Sequence, residues 1–363
     1  MAKWHKALTK PVKRLRAWLY KRKWMERKVC RGGKNPDKTF YVIRSRIDTW
    51  GLIACYNHVL GHIKLALEQG YIPVVDMQNY PNTYLDPGKL HQENAWEYYF
   101  YQPTGYTLEE AYRSCHVILM DGMPPKEAHP RGQGKLYLDY FNRKAGGFSG
   151  PDPSSDGGGF SCGTDYDGSG SRSDQEAWGT ETEKEIRYNT KIIRENMQIR
   201  REVQAHIEEQ YEKLFPGGEK VLGVLCRGTD ISLRRPSGHS VMPRTEEMIS
   251  RAGELMEQWG CTGIFLTTEE AAAVEQFREA FGDRVFFTEC ARYGDTGDKL
   301  LADIPFDRKN DRYLRGLEYL TNIVLLSRCD CLLGVYVGGT TGAMEMNGGG
   351  YEHVEIMDLG VYE

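Results

Sequence analysis

Arg227, Asp230 and His239 are the side chains whose types and spacing could do chemistry. Arg227 and Asp230 close the segment VLGVLCRGTD (221–230), where six apolar or glycine residues break at once into a polar turn. Such a run reads as a buried strand, with the turn at its carboxyl end. An arginine there can grip two phosphate oxygens with a planar fork of donors, which a lysine cannot reproduce. The same arginine could instead pair with Asp230 and only hold the turn. His239 lies in RPSGHSVMP (235–243), a connection that must cross the mouth of the strand edge before Pro243 starts a helix at its first position. An imidazole titrates near neutral pH, where a general base works best, whereas an aspartate beside an arginine is held ionised and weakly basic. His239 is therefore the first candidate base and Asp230 the second. Contact with a phosphate or with solvent is the alternative role for the histidine.

Two glycine-bearing turns could hold an anion by backbone N–H groups. One is Gly338, Gly339, Thr340 and Thr341, read as a turn between a strand and a helix; the other is DTWG (48–51), ending in Gly51 before the first helix. Neither GxxxxGK[ST] nor GxGxxG is present, so a tight connection is the plain alternative for the first. His58 and His62 share a helix face at i, i+4 but lack the glutamate of HExxH, so they make a weak case for metal.

The elements that must position these residues alternate. Residues 38–44, 71–76 and 116–120 read as strands and 54–69 as a helix. Residues 94–103, rich in aromatics, read as a hydrophobic plug between domains. Residues 145–180 carry Gly and Ser in excess, which predicts a flexible insertion, with an active-site lid as its functional alternative. A long charged helix follows over 181–214. From 221 on, strands at 221–226, 263–268 and 284–287 alternate with helices at 243–259, 269–281 and 311–327, then strand, glycine turn and helix again. That alternation predicts a parallel, doubly wound sheet, and ligands of such sheets bind outside the carboxyl ends of the strands.

At 363 residues, 40% apolar and 27% charged, the chain is long enough for two α/β domains, read as 35–215 and 216–363. No apolar run approaches a membrane span, and the basic N-terminus lacks the apolar stretch of a signal peptide. Nine cysteines, an odd number with scattered spacing, argue for reduced thiols and a cytoplasmic protein. The net charge of −4 conceals an asymmetry: residues 1–34 hold 13 Lys/Arg and one acid, so the rest carries −16. Trp4, Trp18 and Trp24 interleave with that charge, which predicts a basic amphipathic arm suited to an anionic membrane surface. A solvated basic tail is the alternative, and nothing downstream supports nucleic acid as the partner.

Several segments line up, in order, with one family: GLIACYNHVLGHIKLA, IPVVD and a WE-aromatic-F stretch, then GVLCRGTD, Pro243, FLTTEE, LRGLEYLTNIVLLSRCD and the last glycine turn with Ala343 and Glu345. Over roughly residues 38–360 the chain resembles the GDP-fucose-dependent fucosyltransferases related to animal core α1,6-fucosyltransferase and the rhizobial nodulation fucosyltransferases, closest to their bacterial relatives. The resemblance implies a GT-B-like fold with a Rossmann-like C-terminal half, and an inverting, metal-independent glycosyltransferase that needs no cofactor beyond its donor, GDP-fucose. It makes Arg227 the arginine essential for transfer and Gly338–Thr341 the contact for the donor diphosphate. It places the acid that recognises guanine near Asn322, with Glu318 one helical turn away. The family's histidine, second arginine and lysine fall at Leu225, Gly228 and Ile231, and its proposed base falls within 235–238, beside His239. The acceptor implied is a glycan or lipid-linked glycan of surface polysaccharide biosynthesis, met at the inner face of the plasma membrane. A transferase using another nucleotide sugar, or an inert glycan- or nucleotide-binding protein of the same fold, are the competing readings.

Overall fold

The computed structural model describes residues 27–44, 50–122, 137–138, 140–141, 172–215, 217–227, 235, 237, 239–294 and 304–363. Its contacts divide the chain into two compact units: Met1–Gly132, Ile192–His206 and Ala302–Leu320 form unit 1, and Gln133–Lys191, Ile207–Leu301 and Thr321–Glu363 form unit 2.

Unit 1 is built on a four-stranded sheet of β1 (Arg27–Val29), β2 (Lys34–Arg44), β3 (Ile72–Asp76) and β4 (Ser114–Met120), in the order β1-β4-β2-β3. β2 pairs in parallel with both β3 and β4, while β1 runs antiparallel along β4. The last residues of the basic arm are thus an edge strand; residues 1–26, which carry its tryptophans, lie outside the described residues. Phe40, Val42, Val74, Val117 and Leu119 cluster as the apolar core on one face of the sheet. α1 (Leu52–Glu68) links β2 to β3 and is buried on nearly every side, as its near-continuous apolar sequence dictates. Both nitrogens of its His62 are engaged, with the Tyr41 hydroxyl and the Gly122 carbonyl at 2.9 Å each. A short helix, α2 (Leu108–Tyr112), starts on a capping box in which Thr107 and Glu110 satisfy each other's N–H groups.

The charged stretch at 181–214 is two helices, α3 (Arg172–Asn196) and α4 (Arg201–Leu214). Between them Gln198 and Arg200 exchange main-chain hydrogen bonds with Tyr101 and Tyr99, 2.9 Å each, and this bridge interrupts the helical ladder. α3 begins inside the glycine-rich segment, so the flexible reading fails for residues 172–180, and the part before 172 lies outside the described residues.

Unit 2 carries a five-stranded, all-parallel sheet: β5 (Val221–Leu225), β6 (Gly263–Thr267), β7 (Val285–Phe286), β8 (Cys331–Val335) and β9 (His353–Met357), ordered β7-β6-β5-β8-β9. β5, β6 and β8 are buried at every position, as strands covered on both faces must be. The crossovers run through α5 (Thr245–Trp259), α6 (Ala271–Phe281), α7 (Asp311–Leu326) and α8 (Gly338–Asn347). α5 starts two residues later than Pro243 suggests. Arg244 is its N-cap, and the Glu247 carboxylate accepts the Arg244 N–H at 2.8 Å, closing the helix start more tightly than a proline could. The chain winds outward from β5 through β6 to β7, then returns to lay β8 and β9 on the other side. The sheet therefore reverses its winding between β5 and β8, which is where a crevice opens at the carboxyl ends of the strands.

Candidate functional site

At this reversal β5 ends in Arg227 and β8 leads into α8. Leu222, Gly223 and Val224 pair with Cys331, Leu332 and Leu333, so Arg227 and the start of α8 each follow the carboxyl end of one of two neighbouring strands. The sequence predicts a turn at Gly338–Thr341, but these residues are the first turn of α8 itself. Val337 is the N-cap and supplies no side-chain cap. The first intrahelical bond runs from the Thr341 N–H to the Val337 carbonyl, 3.1 Å, which leaves the N–H groups of Gly338, Gly339 and Thr340 outside the helical ladder. These N–H groups make the positive end of α8, at the carboxyl end of β8.

The threonine side chains turn inward instead. Thr341 returns its hydroxyl to the Val337 carbonyl at 3.3 Å. Thr340 is buried, and its hydroxyl has no hydrogen-bond partner among the described residues. A Cβ on Gly334 would stand 2.9 Å from both Thr340 Oγ1 and Cγ2, so only glycine at this point of β8 lets the first turn of α8 lie so close to the strand.

Arg227 is partly exposed, at 30% of its side chain, and its Nε lies 3.9 Å from Glu269 Oε2. That separation is electrostatic contact rather than a hydrogen bond. Glu269, the acid that FLTTEE puts after β6, the strand beside β5, is marked by no motif. Its backbone is held by Tyr293, whose N–H donates to the Glu269 carbonyl at 2.8 Å and whose carbonyl accepts from Ala271 at 3.0 Å. Asp230, the partner expected for Arg227, lies outside the described residues. Cys226, next to Arg227, is no nucleophile: burial, with Glu270 nearby, pushes its thiol up to about 12.

His239 is exposed and stands at the same edge. The Tyr362 N–H donates to its carbonyl at 2.9 Å, and the hydroxyl of its neighbour Ser240 donates to the Tyr336 carbonyl at 3.1 Å. The connection that carries His239 is thereby tied to the residue that leads into α8. Arg227 itself follows the end of β5, the strand beside β8.

The remaining expected residues are placed elsewhere. Asn322 is buried on α7; its Oδ1 accepts the Thr288 hydroxyl at 2.6 Å and its amide faces Cys290 Sγ at 3.8 Å, so it secures the segment after β7. Glu318, one turn earlier, has both oxygens taken by the Arg308 guanidinium, at 2.5 and 2.9 Å. Gly51 is the N-cap of α1 in unit 1, in extended backbone, with open space where a Cβ would be. In unit 1 the matching reversal of the sheet, between β2 and β4, is closed by a buried ion pair of Arg44 with Asp121. Among the described residues no three His, Cys, Asp or Glu side chains converge as a metal site, and no helix is long and apolar enough to cross a membrane.

The strand order and the helices between the strands define an α/β protein whose second sheet is parallel and reverses its winding between β5 and β8. No family model matches the chain, and no curated protein matches it. Among solved structures it is similar to the fucosyltransferase NodZ from Bradyrhizobium, with 15% identity and a TM-score of 0.44 over 89% of this chain and 95% of that one. It is also similar to POFUT1 in complex with GDP-fucose (12%, 0.41, 89% and 99%) and to Arabidopsis thaliana FUT1 in complex with GDP (11%, 0.43, 88% and 70%).

Proposed function

We propose that the chain is an inverting glycosyltransferase that moves fucose from GDP-fucose to a glycan acceptor, with the donor diphosphate held in unit 2. The observation that carries this reading is that Arg227 and the uncapped start of α8 follow the carboxyl ends of two neighbouring parallel strands, in a chain whose motif order resembles GDP-fucose-dependent fucosyltransferases. The α/β layout of each unit is what a GT-B-like enzyme requires. As the acceptor oxygen bonds to the anomeric carbon, the bond to the β-phosphate breaks and negative charge grows on the departing diphosphate. Arg227 and the N–H groups of Gly338 and Gly339 meet that charge with fixed positive ends, so transfer needs no divalent metal. The acceptor proton passes to His239, with Asp230 as the other candidate base. Glu269 holds the Arg227 guanidinium at the crevice. The glycan acceptor belongs to surface polysaccharide synthesis, reached from the cytoplasmic side with the basic arm against anionic lipid.

Donor identity is tested by thermal unfolding with GDP, GDP-fucose, GDP-mannose, UDP- and dTDP-sugars. A ligand present at about 100 times its Kd adds about 2.7 kcal/mol to the native state, a shift of several degrees. GDP and GDP-fucose are expected to give it. A larger shift with a uridine or thymidine nucleotide moves the reading to another donor. No shift with any of them removes the donor site.

Gly228, where the family has a second arginine, favours an inert binding protein as the second reading. Release of GDP from GDP-fucose by the unaltered chain separates the two, and His239→Ala then tests the base. A general base contributes about a hundredfold or more, so the variant should release GDP from GDP-fucose at least that much more slowly while its GDP affinity is unchanged. Loss of GDP affinity with unaltered turnover would assign His239 to binding instead.

A further inference from the structure

Unit 1 contains an open surface hollow of about 490 Å³, lined by Tyr98, Tyr313, Glu97, Arg200, Gln78 and Gln92 among others. Its size falls in the range of roughly 300–1,000 Å³ typical of small-molecule sites. The hollow is assembled by the aromatic segment expected to be a plug. Trp96, Tyr99 and Phe100 are indeed buried, but Tyr98 and Tyr313 are only half-buried and reach the hollow. The Tyr313 ring is backed by Tyr99, parallel at 5.7 Å, and braced by the edge of Tyr98 at 6.0 Å.

The polar wall is prearranged. Asn94 is buried and uses its whole amide: Oδ1 accepts from Met77 and Trp96, and Nδ2 donates to the Val75 carbonyl and to Glu97. Gln102 donates to the same Glu97 oxygen, Oε1, at 2.7 Å. Glu97 Oε2 is left without a hydrogen-bond partner among the described residues. Gln78 and Gln92 each donate one amide N–H, to the His91 and Gly88 carbonyls, and keep a side-chain oxygen and a second N–H. The other carboxylates are already paired: Glu93 with the Tyr98 hydroxyl and Lys89, Glu202 with Arg200.

The wall carries the three carboxylates of Glu93, Glu97 and Glu202, which oppose phosphate, and its spare acceptors and N–H groups suit a ligand that both donates and accepts. The Arg200 guanidinium in the same wall opposes a cation. A pyranose satisfies both conditions: its hydroxyls donate to Glu97, Gln78 and Gln92, and its C–H face lies on tyrosine rings, whose flat apolar surface and polar rim suit such a partner. We propose that this hollow of unit 1 is a binding site for a neutral saccharide. The proposal rests on unit 1 alone and stands or falls apart from the donor reading.

The test uses the full chain and saturation-transfer NMR with neutral tetrasaccharides of glucose, galactose, mannose and N-acetylglucosamine. At least one should bind with a Kd of about 10 mM or tighter. Glu97→Gln and Gln92→Ala should each weaken it, Glu97→Gln by about tenfold, with the far-UV spectrum unchanged. GDP should not compete, and Arg227→Lys should bind normally. Binding by none of the four, retention of binding within about twofold in both variants, competition by GDP, or preference for an oligolysine probe would each overturn the proposal. Gln92 is exposed, so its variant reports even where Glu97→Gln does not fold.

Discussion

Arg227→Lys is expected to slow GDP release from GDP-fucose by about a hundredfold at saturating donor while leaving the melting temperature of the free protein nearly unchanged. Lysine keeps the positive charge but loses the two-pronged donor that can grip two oxygens of the departing diphosphate. Removing one such donor from a developing charge costs about 2.7–4 kcal/mol in the barrier. Stability should hardly respond, because the Arg227 side chain is 30% exposed and its Glu269 contact is 3.9 Å long. A pair of that kind contributes about 0–1 kcal/mol. Turnover kept within a few-fold would mean that Arg227 only fixes the end of β5. A fall in melting temperature as large as the loss of activity would mean that its role is structural.

Gly316→Ala should lower the melting temperature by roughly 5–10 °C, although alanine is the better helix former by about 1 kcal/mol. Gly316 lies within α7, and a Cβ there would stand 2.2 Å from the Tyr99 hydroxyl, 2.3 Å from its Cζ and 3.0 Å from Tyr84 Cδ1. Tyr99 cannot easily yield. It is fully buried, stacked on Tyr313, edge-on to Tyr84, and donates its hydroxyl to the Tyr313 carbonyl at 2.9 Å. Burial, and next the nearby Tyr313 and Tyr98, push its phenol well above the usual range, so it stays a neutral donor. Overpacking of this kind costs about 1–3 kcal/mol, and a buried hydroxyl that loses its acceptor adds about as much. Because Tyr99 backs Tyr313, the variant should also weaken saccharide binding in unit 1. An unchanged or raised melting temperature would show that the tyrosine moves aside freely.

Arg227 is legible in the sequence because its signal is local: six apolar or glycine residues followed at once by charge mark the end of an interior strand. His239 is legible for a related reason, since a Gly/Ser/Pro connection between a strand and a helix has to pass the strand edge. Glu269 is not, because its meaning depends on β6 being the neighbour of β5, and strand order is written nowhere in a single segment. Glu318 and Asn322 are held by partners 10 and 34 residues away along the chain: Arg308 donates to both oxygens of the first, and Thr288 donates to the second. Gly338–Thr341 reads as a turn and folds as the start of α8, because the free N–H groups of a helix start and of a loop carry the same glycine-rich signature.

The alternation of buried strands with amphipathic helices follows from local pattern, and with it the parallel sheets and their chemistry at the carboxyl ends. Periodicity and glycine breaks are short-range properties that each segment carries alone. The order β7-β6-β5-β8-β9, which makes the strand before Arg227 the neighbour of the strand before α8, has no such local signature, and neither has the hollow that joins residues near 78, 97, 200 and 313. Both arise from contacts between distant segments, where the packing of whole helices and sheets selects among neighbours that local pattern treats as equal.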